Sequence, residues 1–337
     1  MRRAISISCG LVALIASSVL PVTGMMRSAS AGHVGEPQSS AALPTATPSM
    51  DYWREIPLWP EDSPVLQAGI EALAHEDWAL TRPSMLVYRP ASNANGAAVL
   101  VFPGGGYKAL GIGPNSTLGL YGSDVCRWLT DAGITCVLVK YRVPNTGCNW
   151  NPVTKRHEQP AIPMALQDAQ RAMSLVRHNA EAWGIDPDRI GVMGFSAGGN
   201  LAVLSSTEFA SRKYAPADAA DQVRLRPDFA IPVYAGHMTM EHHNLRPKDS
   251  PEARALNTDI VVSTVVPPTL LIHAKDDAVD PVEYSEVYAQ ALRAVGANVT
   301  LNVYENGGHA FGVRRHGTDS DRWTEDAIRW LDGIGMR

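Results

Sequence analysis

The sequence predicts an α/β fold built on a mostly parallel sheet with helices on both faces, and two observations predict it. Short β-type apolar runs recur along the chain, and longer stretches with helical periodicity separate them. Parallel neighbours cannot be joined by a tight turn, so a strand–helix–strand rhythm implies crossover connections and a sheet covered on both sides. A length of 337 residues, 45% hydrophobic and 19% charged, suffices to bury such a core.

Taken in order, residues 1–31 begin Met1-Arg2-Arg3, run mostly apolar over 4–22 and end Ala29-Ser30-Ala31. That is the layout of a secretory signal cleaved near Ala31, so the chain is expected to be exported to the periplasm or beyond. Ser6, Ser8, Cys9 and Gly10 dilute the apolar run below spanning length, which argues against a retained membrane anchor. Residues 32–50 are rich in Pro, Ser, Ala and Thr and are expected to form a flexible leader. Residues 51–337 read as a single catalytic domain without internal repeats. Within it, strands are expected at 85–88, 97–102, 134–141, 190–194, 229–234, 269–273 and 299–304. Helices are expected at 123–130, 165–183, 198–210, 281–295 and 320–334.

Charge and cysteine narrow the function. The formal net charge of −5 becomes −8 once Arg2, Arg3 and Arg27 leave with the signal, which argues against nucleic acid or an anionic membrane surface as partner. Loss of Cys9 leaves Cys126, Cys136 and Cys148, an odd number that cannot all pair within one chain. Cys126, on an expected helix, and Cys136, in the next strand, read equally as a disulfide or as two small core residues. Their spacing matches no zinc motif.

In a parallel sheet, ligands bind where loops leave the carboxyl ends of the strands, here near Pro103, Ser196, Ala235, Lys275 and Glu305. Gly194-Phe195-Ser196-Ala197-Gly198 directly follows an apolar strand and opens a helix. In that setting the pattern forms a nucleophile elbow, with small residues two before and two after the serine so that strand and helix can approach. A serine hydroxyl needs a base, and His309, in Gly307-Gly308-His309-Ala310-Phe311-Gly312 after the last strand, is the expected one. The base needs a carboxylate to fix its tautomer. Three aspartates, Asp276, Asp277 and Asp280, follow the strand at 269–273. Asp277 is favoured, while Asp280, immediately before Pro281, reads as a helix N-cap.

The chain order Ser196, Asp277, His309 is that of the α/β hydrolases and differs from the chymotrypsin and subtilisin orders. Pro103-Gly104-Gly105-Gly106-Tyr107 supplies unencumbered backbone N–H groups after a strand. The N–H groups of Gly105, Gly106 and Ala197 are the expected oxyanion hole. The glycine run lacks the Lys-Ser/Thr ending of a P-loop, which argues against a nucleotide. No cofactor or metal is implied. The cluster His237, Glu241, His242 and His243 has no task in serine hydrolysis.

With these residues placed, the chain resembles bacterial α/β-hydrolases related to acetyl xylan and feruloyl esterases. The resemblance runs through Ile56-Pro57-Leu58-Trp59-Pro60, Pro103-Gly104-Gly105-Gly106-Tyr107, Lys140-Tyr141-Arg142-Val143, the Ser196 elbow, Asp276-Asp277-x-Val279-Asp280-Pro281 and Gly307-Gly308-His309. It implies removal of acetyl, and sometimes feruloyl, groups from acylated plant cell-wall oligo- or polysaccharides. The sequence departs from the family at Tyr121-Gly122-Ser123, where a Glu-Gly pair is expected, and in the loop over 144–159 with Cys148 and Trp150. Tyr107 and Trp150 are the expected substrate contacts. Trp150 could stack on a sugar ring or pack under its own loop. The rival readings are an exopeptidase of the same fold and a catalytically silent carbohydrate-binding relative.

Overall fold

A computed structural model describes residues 53–74, 79–112, 123–144, 150–151, 156–157, 163–240 and 254–337. The expected signal and leader, Tyr121-Gly122, Cys148 and Glu241, His242 and His243 lie outside the described residues.

Strand β1 (Arg54–Pro57), helix α1 (Pro64–Ala72), β2 (Ser84–Tyr88) and β3 (Ala98–Phe102) come first. Helix α2 (Ser123–Asp131), β4 (Thr135–Lys140), the short pair β5 (Trp150–Asn151) and β6 (Arg156–His157), and helix α3 (Pro163–His178) follow. The second half alternates regularly: β7 (Ile190–Phe195), α4 (Ala197–Thr207), β8 (Ala230–Val233), β9 (Thr269–Ala274), α5 (Glu283–Ala294), β10 (Val299–Tyr304) and α6 (Trp323–Gly333).

Eight strands form one sheet in the order β1-β2-β4-β3-β7-β8-β9-β10, parallel from β4 to β10 with β1 and β2 joined antiparallel. All residues of β3 and β7 are buried, as befits strands covered on both faces. Apolar residues of α1, α3, α4 and α5 pack on one face, and Val125, Leu129, Trp323, Ala327 and Leu331 of α2 and α6 pack on the other. The described residues fall in one compact unit, 50–337. Among them no helix is long and apolar enough to cross a membrane.

Two expected helices differ from the chain in the same way. The helix expected over 165–183 ends at His178, followed by a 3-10 turn over Glu181–Trp183 that Gly184 stops with φ +68°. The helix expected from 320 begins as a 3-10 turn, Asp319–Arg322, before α6. Helix ends commonly tighten in this way, and an apolar period does not register it. Strand β1 and helix α1 lie outside the elements expected from sequence; α1 opens on Pro64 and buries Leu66 and Gly69. Between α2 and β4, Cys126 and Cys136 form a disulfide spanning 10 residues.

Register brings the site together. Phe102 pairs with Gly194, Phe195 with Val233 and Tyr304 with Ala274, so the loops after five strands leave the sheet along one edge.

Candidate active site

Ser196 occupies the turn between β7 and α4 with φ +54° and ψ −120°, a conformation few non-glycine residues adopt. Backbone bonds hold it there: its N–H donates to Val233 O at 3.0 Å, and its carbonyl accepts from Gly236 N at 3.1 Å. The flanking glycines are steric necessities. A Cβ on Gly194 would lie 1.9 Å from Gly198 O, and one on Gly198 would lie 2.1 Å from Phe102 O.

His309 reaches this serine from the loop after β10, flanked by Gly308 and Ala310, both at positive φ. Its Nε2 lies 3.1 Å from Ser196 Oγ, and its Nδ1 lies 2.7 Å from Asp277 Oδ2. The ring of Tyr234, at the end of β8, packs edge-on against the imidazole with centroids 5.0 Å apart.

The three aspartates after β9 divide the work. Asp277 Oδ1 accepts the N–H groups of Val279 and Asp280, both at 2.9 Å, which leaves Oδ2 for His309. Burial alone would raise the Asp277 carboxyl. Hydrogen bonds from His273 and His309, the charge of His309 and the Asp280 N–H outweigh it and hold the group well below the usual carboxylate range. Asp276 Oδ1 accepts from Gly308 N at 2.7 Å, which ties the histidine loop to the aspartate turn.

Asp280 is a correction. It does not cap α5, which begins at Glu283 after Val282 and has no side-chain cap. Pro281 and Val282 carry the helix start away, and the turn closed by Asp277 sends the Asp280 side chain inward, 3.4 Å from Ser196 Oγ. Burial, then the charge of Asp277, push its carboxyl up to about 6 against the opposing pull of His309. His273, buried in β9, bridges the two: Nδ1 meets Ser285 Oγ, Nε2 bonds Asp280 O at 2.8 Å and lies 3.5 Å from Asp277 Oδ2.

The glycine loop after β3 lies against the elbow. A Cβ on Gly104 would meet Phe195 O at 2.9 Å, and Gly105 and Gly106 have φ of +132° and +62°. Among the described residues none accepts from the N–H of Gly105, Gly106 or Ala197. Tyr141 OH donates to Pro103 O at 2.6 Å and so pins the loop. Next to it, Arg142 pairs with the buried Asp168, which also accepts from Trp59 Nε1 at 2.7 Å. Two of the sequence motifs, around Trp59 and Tyr141, therefore meet behind the loop.

Tyr107 is a second correction. It is 1% exposed and its hydroxyl donates to Asn200 Oδ1 at 2.8 Å, so its side chain braces the loop against α4 and offers no free surface to a substrate. The backbone of Trp150 pairs with His157, and its side chain lies outside the described residues. His273 and Asn200 stand in no motif, and Tyr141, though in one, is given no role by sequence. The one signal for Asp280 was three aspartates crowded within five positions at a strand end.

A family model described as the alpha/beta hydrolase fold matches residues 158–313, and a second, BD-FAE, matches 85–224. An acetylxylan esterase of Xylanibacter ruminicola is 30% identical over 266 residues, covering 75% of this chain and 48% of its own length. Isoprenylcysteine alpha-carbonyl methylesterase ICME of Arabidopsis thaliana is 27% identical over 249 residues, covering 66% of this chain and 52% of its own length. The chain thus spans about half the length of these curated relatives. Among solved structures, an acetyl ester-xyloside bifunctional hydrolase from Caldicellulosiruptor lactoaceticus superposes with a TM-score of 0.65 at 29% identity, covering 86% of this chain and 99% of that one. Esterase 2 of Thermogutta terrifontis, at 23% identity and a TM-score of 0.57 over 76% of this chain and 89% of its own, shares the fold.

Proposed function

The chain is an α/β hydrolase with esterases among its relatives, and from that premise we propose that it is a serine carboxylic-ester hydrolase acting on acetylated carbohydrate. The observation that carries this reading is the relay Ser196 Oγ, His309 and Asp277, with its 3.1 and 2.7 Å spacings at the carboxyl edge of the sheet.

His309 Nδ1–H donates to Asp277, which leaves the Nε2 lone pair facing the serine hydroxyl. As Ser196 Oγ bonds to the ester carbonyl carbon, His309 takes its proton, and the carbonyl π electrons move to oxygen. That oxyanion is held by the N–H groups of Gly105, Gly106 and Ala197. Collapse breaks the C–O bond to the alcohol, which leaves with the proton from His309. Water then repeats the sequence on the acyl-serine. Each step uses groups this chain supplies.

Acetyl groups on xylan-type carbohydrate are the proposed substrate because the acetylxylan esterase and the acetyl ester-xyloside hydrolase are similar to this chain over most of its described length. Export after cleavage near Ala31 belongs to the same reading, since such polymers lie outside the cell. The test is a panel of acetylated xylan, methyl ferulate and longer-chain aryl esters. Acetylated xylan and aryl acetates are expected to turn over fastest, and Ser196→Ala to lose several orders of magnitude in kcat with unchanged thermal unfolding. Near-full activity in that variant would overturn the assignment.

A further inference from the structure

Five aspartates among the described residues are buried: Asp168, Asp221, Asp228, Asp277 and Asp280. Four of them accept backbone N–H groups and face a cationic or imidazole partner. Asp168 takes Arg142, Asp221 takes Arg171 and Arg212, Asp228 takes Arg177 and Arg224, and Asp277 takes His309. Asp280 differs: among the described residues no backbone N–H donates to its carboxyl, and the imidazole beside it is the one that also faces Ser196. The N–H and C=O of Asp280 are used by Asp277 and His273, and the polar side-chain atoms facing its carboxyl are Ser196 Oγ at 3.4 Å and His309 Nε2 at 3.8 Å. The backbone of Gly236 closes its other side, since a Cβ there would lie 2.8 Å from Oδ2. A carboxyl buried at a cost, whose polar side-chain neighbours are the serine and histidine of the proposed site, points to a task there.

We propose that Asp280 is a second acidic positioning residue of this site, whose carboxylate shares the Nε2 edge of His309 with Ser196, steadies the imidazolium formed when the serine proton is transferred, and disfavours anionic esters. The inference rests on the esterase reading. Ser196 Oγ, His309 Nε2 and Asp280 Oδ2 form a triangle with sides of 3.1, 3.4 and 3.8 Å. When His309 takes the serine proton, the imidazolium has Asp277 at Nδ1 and a second carboxylate beside Nε2. That placement stabilises the ion formed as the serine proton is transferred.

The charged or titratable groups around Asp280 are Asp277 on its own turn, His273 from β9 and His309 from the loop after β10. From the post-β8 loop the Gly236 backbone lies against it. The attraction between unit charges 3.8 Å apart with water-like screening corresponds to a factor of about six in rate, and more with less screening.

The experiment compares wild type with Asp280→Asn, using a neutral aryl acetate and a sulfonated aryl acetate. In Asp280→Asn at pH 8, kcat for the neutral ester is expected to fall by about sixfold or more. The sulfonated-to-neutral ratio of kcat/KM should rise by about threefold for a sulfonate some 7 Å away. A merely structural role would lower the rates for both esters without moving their ratio, and an unchanged ratio overturns the proposal. Wild type alone supplies a second reading that does not depend on the variant folding. Its ratio should fall as pH rises through about 6, where Asp280 ionises, and a flat ratio overturns the proposal. A wild type inert to both esters would overturn the esterase reading itself, whereas an active wild type with a flat ratio overturns only the role of Asp280.

Discussion

Gly198→Ala tests whether the elbow is held by steric fit. A Cβ at this position would lie 2.1 Å from Phe102 O and 2.5 Å from Pro103 O, both backbone atoms that no rotamer change can remove. Relief requires the end of β3 or the start of α4 to move by about 1 Å, and overpacking of this kind costs about 1–3 kcal/mol. Both sides of the clash belong to the proposed site, since Pro103 leads into the glycine loop and Gly198 follows Ser196 by two. A misplacement of about 1 Å between reacting groups costs on the order of a hundredfold in rate. The matched control is Gly296→Ala, where φ is +74° and a Cβ meets nothing within 4 Å. There the left-handed backbone costs about 1–2 kcal/mol with no change at the site. Denaturant unfolding and aryl acetate hydrolysis, measured on both, should show similar losses of stability but a loss of rate of about a hundredfold only in Gly198→Ala. A Gly198→Ala enzyme within tenfold of wild type would refute the claim that this contact sets the geometry.

Three further outcomes follow from other parts of the structure. Tyr141→Phe removes the donor to the buried Pro103 carbonyl and is expected to cost about 1–3 kcal/mol, with kcat falling about ten- to a hundredfold and KM little changed. Steady-state kinetics and denaturant melts check it. Replacing both Cys126 and Cys136 by Ser opens a loop spanning 10 residues and is expected to cost about 3 kcal/mol in denaturant melts while leaving ester turnover intact, since neither residue touches the site. Asp280→Asn should stabilise the fold at neutral pH. A carboxyl raised to about 6 binds its proton more tightly folded than unfolded, so its stabilising contribution is lost as pH rises from the ordinary carboxylate range through about 6. The variant's gain, up to about 3 kcal/mol at pH 8, should vanish below about pH 4, and urea melts across that range would show it.

The fold was legible because its signal is one of period and order. Apolar runs such as 98–102 and 190–195 are buried on both faces and stay recognisable without their neighbours, and their alternation with helices implies a parallel sheet. Ser196 and His309 were legible for a different reason: the elbow needs glycine at fixed spacing, and the histidine sits in a glycine-rich loop after the last strand. The helix ends at His178 and Trp323 were not, because a 3-10 turn and an α-turn share nearly the same apolar pattern.

The aspartates after β9 mark where sequence stops. Sequence by itself determined the α/β class, the elbow and the chain order of a serine, an aspartate and a histidine at strand ends, because each follows from local spacing or from the direction of strands. It also placed three carboxyls at one strand end and favoured Asp277, but it read Asp280 as a cap. Only the tertiary structure decided that Asp276 braces the histidine loop, Asp277 meets His309, and Asp280 turns in toward Ser196. The cysteines divide the same way, since a helix and the next strand can hold two thiols or one bond, and only their approach across α2 and β4 chooses. A side chain's partner depends on the direction of its Cα–Cβ bond and on what the rest of the chain brings opposite it. Those are set by turns closed over a few ångströms and by register across the sheet, neither of which has a period to read.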